Sequence, residues 1–103
     1  MAKGEIRVGD IGTVFELTIK DQDDQVVPIN QATVKEITLK KPSGTKVTKT
    51  AVFSTDGTDG KMRYTSVADD LDVAGDWSYQ GYVELPDGKW KTDIHSFRVH
   101  SNL

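Results

Sequence analysis

The sequence predicts an all-β protein: an immunoglobulin-like antiparallel β-sandwich of about seven strands with one short helical turn. Short β-prone runs recur along the chain, turn signals built from Asp, Gly and Pro separate them, and no segment sustains helical periodicity. The chain has 103 residues, a length that serves one core of ordinary size, so residues 1–103 are expected to form a single domain.

The elements follow in order. Residues 5–8 form the first run, and Gly9-Asp10-Ile11-Gly12 then breaks it so that the chain can change sheets. In residues 13–20, Phe15, Leu17 and Ile19 alternate with Val14, Glu16 and Thr18. A strand's period of two puts the three larger apolar groups on one face, which should be the core. Asp21-Gln22-Asp23-Asp24 ends that strand, and residues 26–29 resume an extended course that Pro28 confines to an edge or a loop. In residues 33–41, Ile37 and Leu39 share a face while Val34 is out of step. The turn Pro42-Ser43-Gly44-Thr45 closes a hairpin onto residues 46–54. Asp56-Gly57 and Asp59-Gly60 deliver the chain to residues 61–66, where Met62 and Tyr64 point one way.

Ser66-Val67-Ala68-Asp69 has the spacing of a capping box and predicts one helical turn through Leu71, stopped by Gly75. The longest strand pair, residues 76–85 and 89–99, is joined by Pro86-Asp87-Gly88, read as a type I turn closed by a left-handed glycine. That three-residue loop pairs Leu85 with Lys89 and sets Trp77 opposite Phe97. Trp77, Tyr79, Val83 and Leu85 then share the core face. The same register brings Tyr82, Trp90 and Ile94 together on the outer face, an apolar patch that a protein or sugar would cover and hence the candidate interface. The other reading of these residues is a bulge near His95 and Ser96 that returns Trp90 and Ile94 to the core.

Composition limits the chemistry. There is no cysteine, which removes disulfides, thiolate metal sites and a thiol nucleophile and fits synthesis in a reducing cytoplasm. The amino-terminal residues lack the apolar run of a signal peptide, and no apolar stretch is long enough to span a bilayer, so neither secretion nor a membrane partner is expected. With 13 basic against 16 acidic side chains the net charge is −3, which on balance repels a nucleic acid. Lys40, Lys41, Lys46 and Lys49 flank a turn and read as a solvated edge that discourages strand aggregation, in preference to a nucleic-acid patch.

No catalytic group and no cofactor are expected. His95 and His100 lie five apart on one strand and face opposite ways, and Ser96 faces away from adjacent His95. Asp69, Asp70, Asp72 and Asp76 sit in a loop that gives no reason for a raised pKa. Asp21, Asp23 and Asp24 open like a calcium loop, but Val26 stands where such a loop needs glycine and Ala32 where it needs a bidentate glutamate. Turn-forming aspartates are the better reading, and no metal ligand is assigned.

The stretch "DLDVAGDWSYQG" looks like the passage into strand F of immunoglobulin-like domains, with Trp77 near the position of the corner tyrosine and Tyr79 at that of the cysteine. Lacking the cysteine pair, the core must use aromatics. More broadly, "GDIGTVFELTIKDQDDQVVPINQATVKEITLKKPSGTKVTKT", "TDGKMRYT" and "DLDVAGDWSYQGYVELPDGK" resemble the small immunoglobulin-like domains of tailed-bacteriophage particles, similar to the amino-terminal domain of baseplate upper proteins. The pattern is best marked at Lys41 to Thr45, at Asp59-Gly60-Lys61 and from Asp72 to Tyr79, and departs at Asp24, where a glycine is usual, and at Gln31, where a Ser-Gly-Ala run is common before Ala32-Thr33-Val34. The resemblance implies a non-enzymatic structural protein of the virion, in the tail, baseplate or head-associated. Made in the host bacterial cytoplasm, it would work by docking onto other virion structural proteins in an oligomeric assembly. A carbohydrate-binding module stacking sugars on exposed aromatics is the alternative, and an intracellular adaptor with a transient partner a third reading.

Overall fold

The computed structural model describes residues 6–102. Among them are nine strands and no helix: β1 (Ile6–Arg7), β2 (Val14–Thr18), β3 (Val34–Lys40), β4 (Lys46–Thr50), β5 (Val52–Phe53), β6 (Lys61–Thr65), β7 (Gly75–Leu85), β8 (Gly88–Lys91) and β9 (His95–His100). They build two sheets. The larger has the order β1-β9-β7-β3-β4, with β8 also pairing β7, and the smaller has the order β2-β6-β5. This is the immunoglobulin arrangement: β2, β6 and β5 stand for strands B, E and D, and β4, β3, β7 and β9 for C′, C, F and G. Residue 5 of the expected first strand lies outside the described residues.

The count exceeds seven because two expected strands break. Residues 46–54 divide at Ala51, which is buried and donates its N–H to Lys35 O at 2.9 Å. The chain changes sheets there, leaving β4 in the larger and β5 in the smaller. Residues 89–99 divide at Thr92-Asp93-Ile94 into β8 and β9. The pairing is also not wholly antiparallel: β1 runs parallel to β9 with Ile6 beside Val99. Val8 N–H donates to His100 O (3.0 Å), Arg7 Nη1 to Ser101 O (3.1 Å) and Asn102 Nδ2 to Val8 O (2.9 Å), clasping this seam.

Period-two alternation places the core. Phe15, Leu17 and Ile19 from β2 and its extension meet Ile37 and Leu39 of β3, Met62 of β6, and Trp77 and Val83 of β7, all buried. Tyr79, Leu85, Trp90 and Phe97 pack against them half-buried. Full burial of each large apolar side chain is worth about 1.5–3 kcal/mol. Trp77 sits opposite Phe97, as the sequence predicts. Its indole N–H donates to Val73 O at 3.1 Å, so the tryptophan ties the entry of β7 to the chain just upstream, as the corner tyrosine does in immunoglobulin domains.

Three local expectations are corrected. No helical turn forms at residues 66–71. Asp70 N–H closes a turn on Val67 O (3.2 Å) with Asp69 left-handed (φ 71°), and the carboxylate that reaches back is Asp70, accepting from Val67 N–H at 2.8 Å. Ser66 does not cap; its buried hydroxyl accepts from Thr13 N–H (3.0 Å) and faces Asp10 O (3.3 Å), bracing the start of β2. The β7–β8 loop is the two residues Pro86 and Asp87, because Leu85 pairs with Gly88, and Gly88 does not adopt positive φ. At Asp24, where glycine is usual, φ is 63°, a left-handed conformation that aspartate tolerates better than most residues.

Candidate docking surface

The outer face of the larger sheet follows from the same alternation. With Ile37 and Leu39 turned inward, Glu36, Thr38 and Lys40 of β3 turn outward. Thr38 lies between Thr48 of β4 and Gln80 of β7, Lys40 between Lys46 and Ser78, and Glu36 between Thr50 and Tyr82. Tyr82 is in turn flanked by Lys91 of β8, and Glu84 by Lys89. Together with Trp90 and Ile94, this face borders an open concavity of about 860 Å³.

Its floor is polar and internally bonded. The Thr38 and Thr48 hydroxyls lie 3.1 Å apart, Gln80 Nε2 donates to Thr92 O at 2.8 Å, and Tyr82 Oη donates to Glu84 Oε2 at 2.7 Å. That bond to a carboxylate, aided by desolvation and the charges of Glu84 and Glu36, pushes the Tyr82 phenol above its ordinary value. The rim is basic, with exposed Lys40, Lys46, Lys89 and Lys91 against two carboxylates of this face, Glu36 and the Tyr82-bonded Glu84.

The three residues expected to meet on the outer face are treated differently by the register. Tyr82 is on it. Trp90 pairs with Val83, so its side chain takes the core face, and a Cβ on Gly88 would lie 2.7 Å from the indole; the missing side chain makes room for the ring. Between Tyr79↔His95 and Tyr82↔Lys91, two residues of β7 oppose three of the partner chain. The extra residue is therefore taken up at Thr92-Asp93-Ile94, where Thr92 Oγ1 accepts from Gly81 N–H at 2.8 Å. This bulge comes earlier than His95 and Ser96; it returns Trp90 to the core side but leaves Ile94 67% exposed.

The basic cluster near the first hairpin also divides. Lys41 pairs with Asp72 (2.9 Å) and Lys49 with Asp70 (3.1 Å), away from the concavity, while Lys40 and Lys46 face into it. Lys89 and Lys91 join them from the other end of the chain. Reading neighbours in sequence missed this set; the alternation of Lys89 and Lys91 about Trp90 is the signal that could have found it.

His95 and several of the loop aspartates have partners within the fold. The His95 ring stacks on Tyr79 (5.3 Å between centroids, 25° between planes) and Ser96 lies opposite Ser78. Asp76 pairs with Arg98 at 3.0 Å. Asp21 Oδ1 accepts from the N–H groups of Asp23 (2.9 Å) and Gln25 (3.0 Å), Asp56 from that of Thr58 (3.0 Å) and Asp59 from that of Lys61 (3.1 Å). Each is a turn held by an aspartate side chain. Among the described residues no group of three or more His, Asp or Glu side chains converges as a metal-ligand set.

Two sheets in immunoglobulin order, an aromatic centre where the disulfide would be and a broad polar sheet face define the class, an immunoglobulin-like sandwich domain without cystines. The chain matches the family model of the BppU N-terminal domain over residues 2–103 and belongs to that family, the amino-terminal domains of baseplate upper proteins. It is thus a structural domain associated with the phage baseplate, with the virion as its location and other virion proteins as its neighbours. No curated protein and no solved structure matches it.

Proposed function

We propose that the domain is a non-enzymatic assembly part that docks onto neighbouring baseplate proteins through the outer face of its larger sheet. Tyr82 stands in that face, with Ile94 and the edge of Trp90 at its rim. The observation that carries this reading is the exposure of Ile94 beside the concavity: a large aliphatic group left wet next to a tyrosine and flanked by lysines has the make-up of an interface, an apolar anchor inside a polar rim. A carbohydrate platform needs aromatic faces open to the sugar, whereas Trp90 pairs with Val83 and packs half-buried against the core.

Particle assembly tests the reading. The pair Tyr82→Ala and Ile94→Asp should leave the melting temperature of the isolated chain close to wild type and reduce its incorporation into baseplates. Full incorporation of the folded double variant would overturn the assignment of this face.

A further inference from the structure

Resting on that docking reading, we infer that the outer face of the β4-β3-β7-β8 sheet receives an acidic, extended protein segment that bridges its two lysine pairs. The chain as a whole is negative, at −3, yet this face carries Lys40, Lys46, Lys89 and Lys91 against two carboxylates, Glu36 and Glu84, of which Glu84 is already bonded by the Tyr82 hydroxyl. None of the four is in an ion pair with a described residue, whereas Lys20, Lys41, Lys49 and Arg98 are. Lys40 and Lys46 are directly opposite each other across β3 and β4. Facing like charges cost stability, and a partner's carboxylate between them would remove that cost.

The spacing selects the shape of the occupant. Lys40 is level with Ser78 of β7, Lys91 with Tyr82 and Lys89 with Glu84. Two to three strand spacings of roughly 4.8 Å, combined with four to six residues at roughly 3.4 Å, put the two lysine pairs on the order of 17–25 Å apart on a diagonal. An extended segment covers that distance in about five to seven residues. Its acidic groups would sit at both ends, and its middle would lie over Thr38, Thr48 and Gln80. A nucleic acid fits less well: Glu36 stands in the floor, and a long polyanion overhanging the patch would meet the Asp-rich turns that make the rest of the chain negative. A short acidic segment stays within the lysine frame.

The probe is a synthetic peptide with a pair of glutamates at each end of a short Ser/Thr spacer, titrated into the isotope-labelled chain at low salt. Amide shifts at Thr38, Gln80 and Lys91 are expected, with binding weakened at least tenfold in Lys40→Gln/Lys46→Gln/Lys89→Gln/Lys91→Gln and by raised salt. Each pair variant, Lys40→Gln/Lys46→Gln and Lys89→Gln/Lys91→Gln, should lose part of the affinity, which keeps the test readable if the fourfold variant folds poorly. No shifts, shifts elsewhere, equal binding by the glutamine variants, tighter binding of oligo-dT, or self-association through this face would each overturn the inference. Particle incorporation separates it from the reading beneath it. If the glutamine variants assemble normally while Tyr82→Ala/Ile94→Asp does not, the acidic occupant falls and docking stands; if both assemble normally, docking falls too.

Discussion

The ring of Phe15 on β2 meets that of Tyr79 on β7 edge to face, with centroids 5.2 Å apart and planes at 64°, joining the two sheets where antibody domains place their disulfide. Phe97 completes the cluster, 5.0 Å from Phe15 and 5.9 Å from Trp77. Phe15→Ala should cost about 3–5 kcal/mol, the range for emptying a buried phenylalanine site. A double-mutant cycle with Tyr79→Leu should return a coupling of about 0.5–1.5 kcal/mol beyond burial. Urea unfolding of the four proteins measures both, and a coupling of zero would reduce the pair to two independent core residues.

Asp70 links three elements and should govern the pH dependence of stability. Its side chain is 5% exposed; it accepts from the Tyr64 hydroxyl and from Val67 N–H and pairs with Lys49. Burial pushes its carboxyl up, but the bonds from Tyr64, Val67 and Lys49 together outweigh burial and hold it below 3.8. A depressed folded-state value means stability that is present above the unfolded value and lost as pH falls through the folded one. Burial first, and Asp70 second, push Tyr64 from 10.0 to about 12; that contribution is complete below pH 10 and lost as pH rises toward 12. Asp70→Asn should flatten the acid limb below about pH 4 and shrink the alkaline one, as read from melting temperature across pH. At neutral pH it should cost about 1–3 kcal/mol.

Trp90 and Ile94 should separate cleanly. Trp90→Ser removes a half-buried indole packed on the core and is expected to cost about 2 kcal/mol, less than a fully buried tryptophan. Ile94→Ser, at an exposed position, should fall within about 0.5 kcal/mol of wild type. Equal losses in chemical denaturation would contradict the placement of the bulge at residues 92–94.

Gly57 and Gly44 both have positive φ, at 90° and 96°, but differ in what surrounds them. A Cβ at Gly57 would lie 2.8 and 2.9 Å from the Asn30 backbone, while nothing comes within 4 Å at Gly44. Gly44→Ala should therefore cost only the conformational term, about 1–2 kcal/mol, and Gly57→Ala that term plus a backbone displacement, about 3 kcal/mol or more. Thermal melts of the two variants compare them directly.

The alternation of Phe15, Leu17 and Ile19, of Ile37 and Leu39, and of Trp77 and Val83 was enough to orient both sheets, because one buried face fixes every other residue of a strand. What the sequence hid was register. A shift from a three-residue to a two-residue loop at Pro86-Asp87 reverses the face of Trp90 while leaving Trp77 opposite Phe97, since the spare residue reappears at 92–94. Proline, aspartate and glycine suit either loop, so turn chemistry alone could not choose. The break at Ala51 was equally silent: a small apolar residue reads the same inside a continuous strand as where the chain crosses between sheets. The lysine face escaped notice because its halves lie some forty residues apart in sequence, at Lys40 and Lys46 and at Lys89 and Lys91, and only the shared strand β7 makes them neighbours.

The seam of β1 and β9 has a mechanical meaning. Because the two strands point the same way, a pull applied at opposite ends of the chain loads the Val8–His100, Arg7–Ser101 and Asn102–Val8 bonds together in shear. Bonds strained in unison yield at higher force than bonds peeled in succession, so a seam this short can still act as a strain-bearing latch.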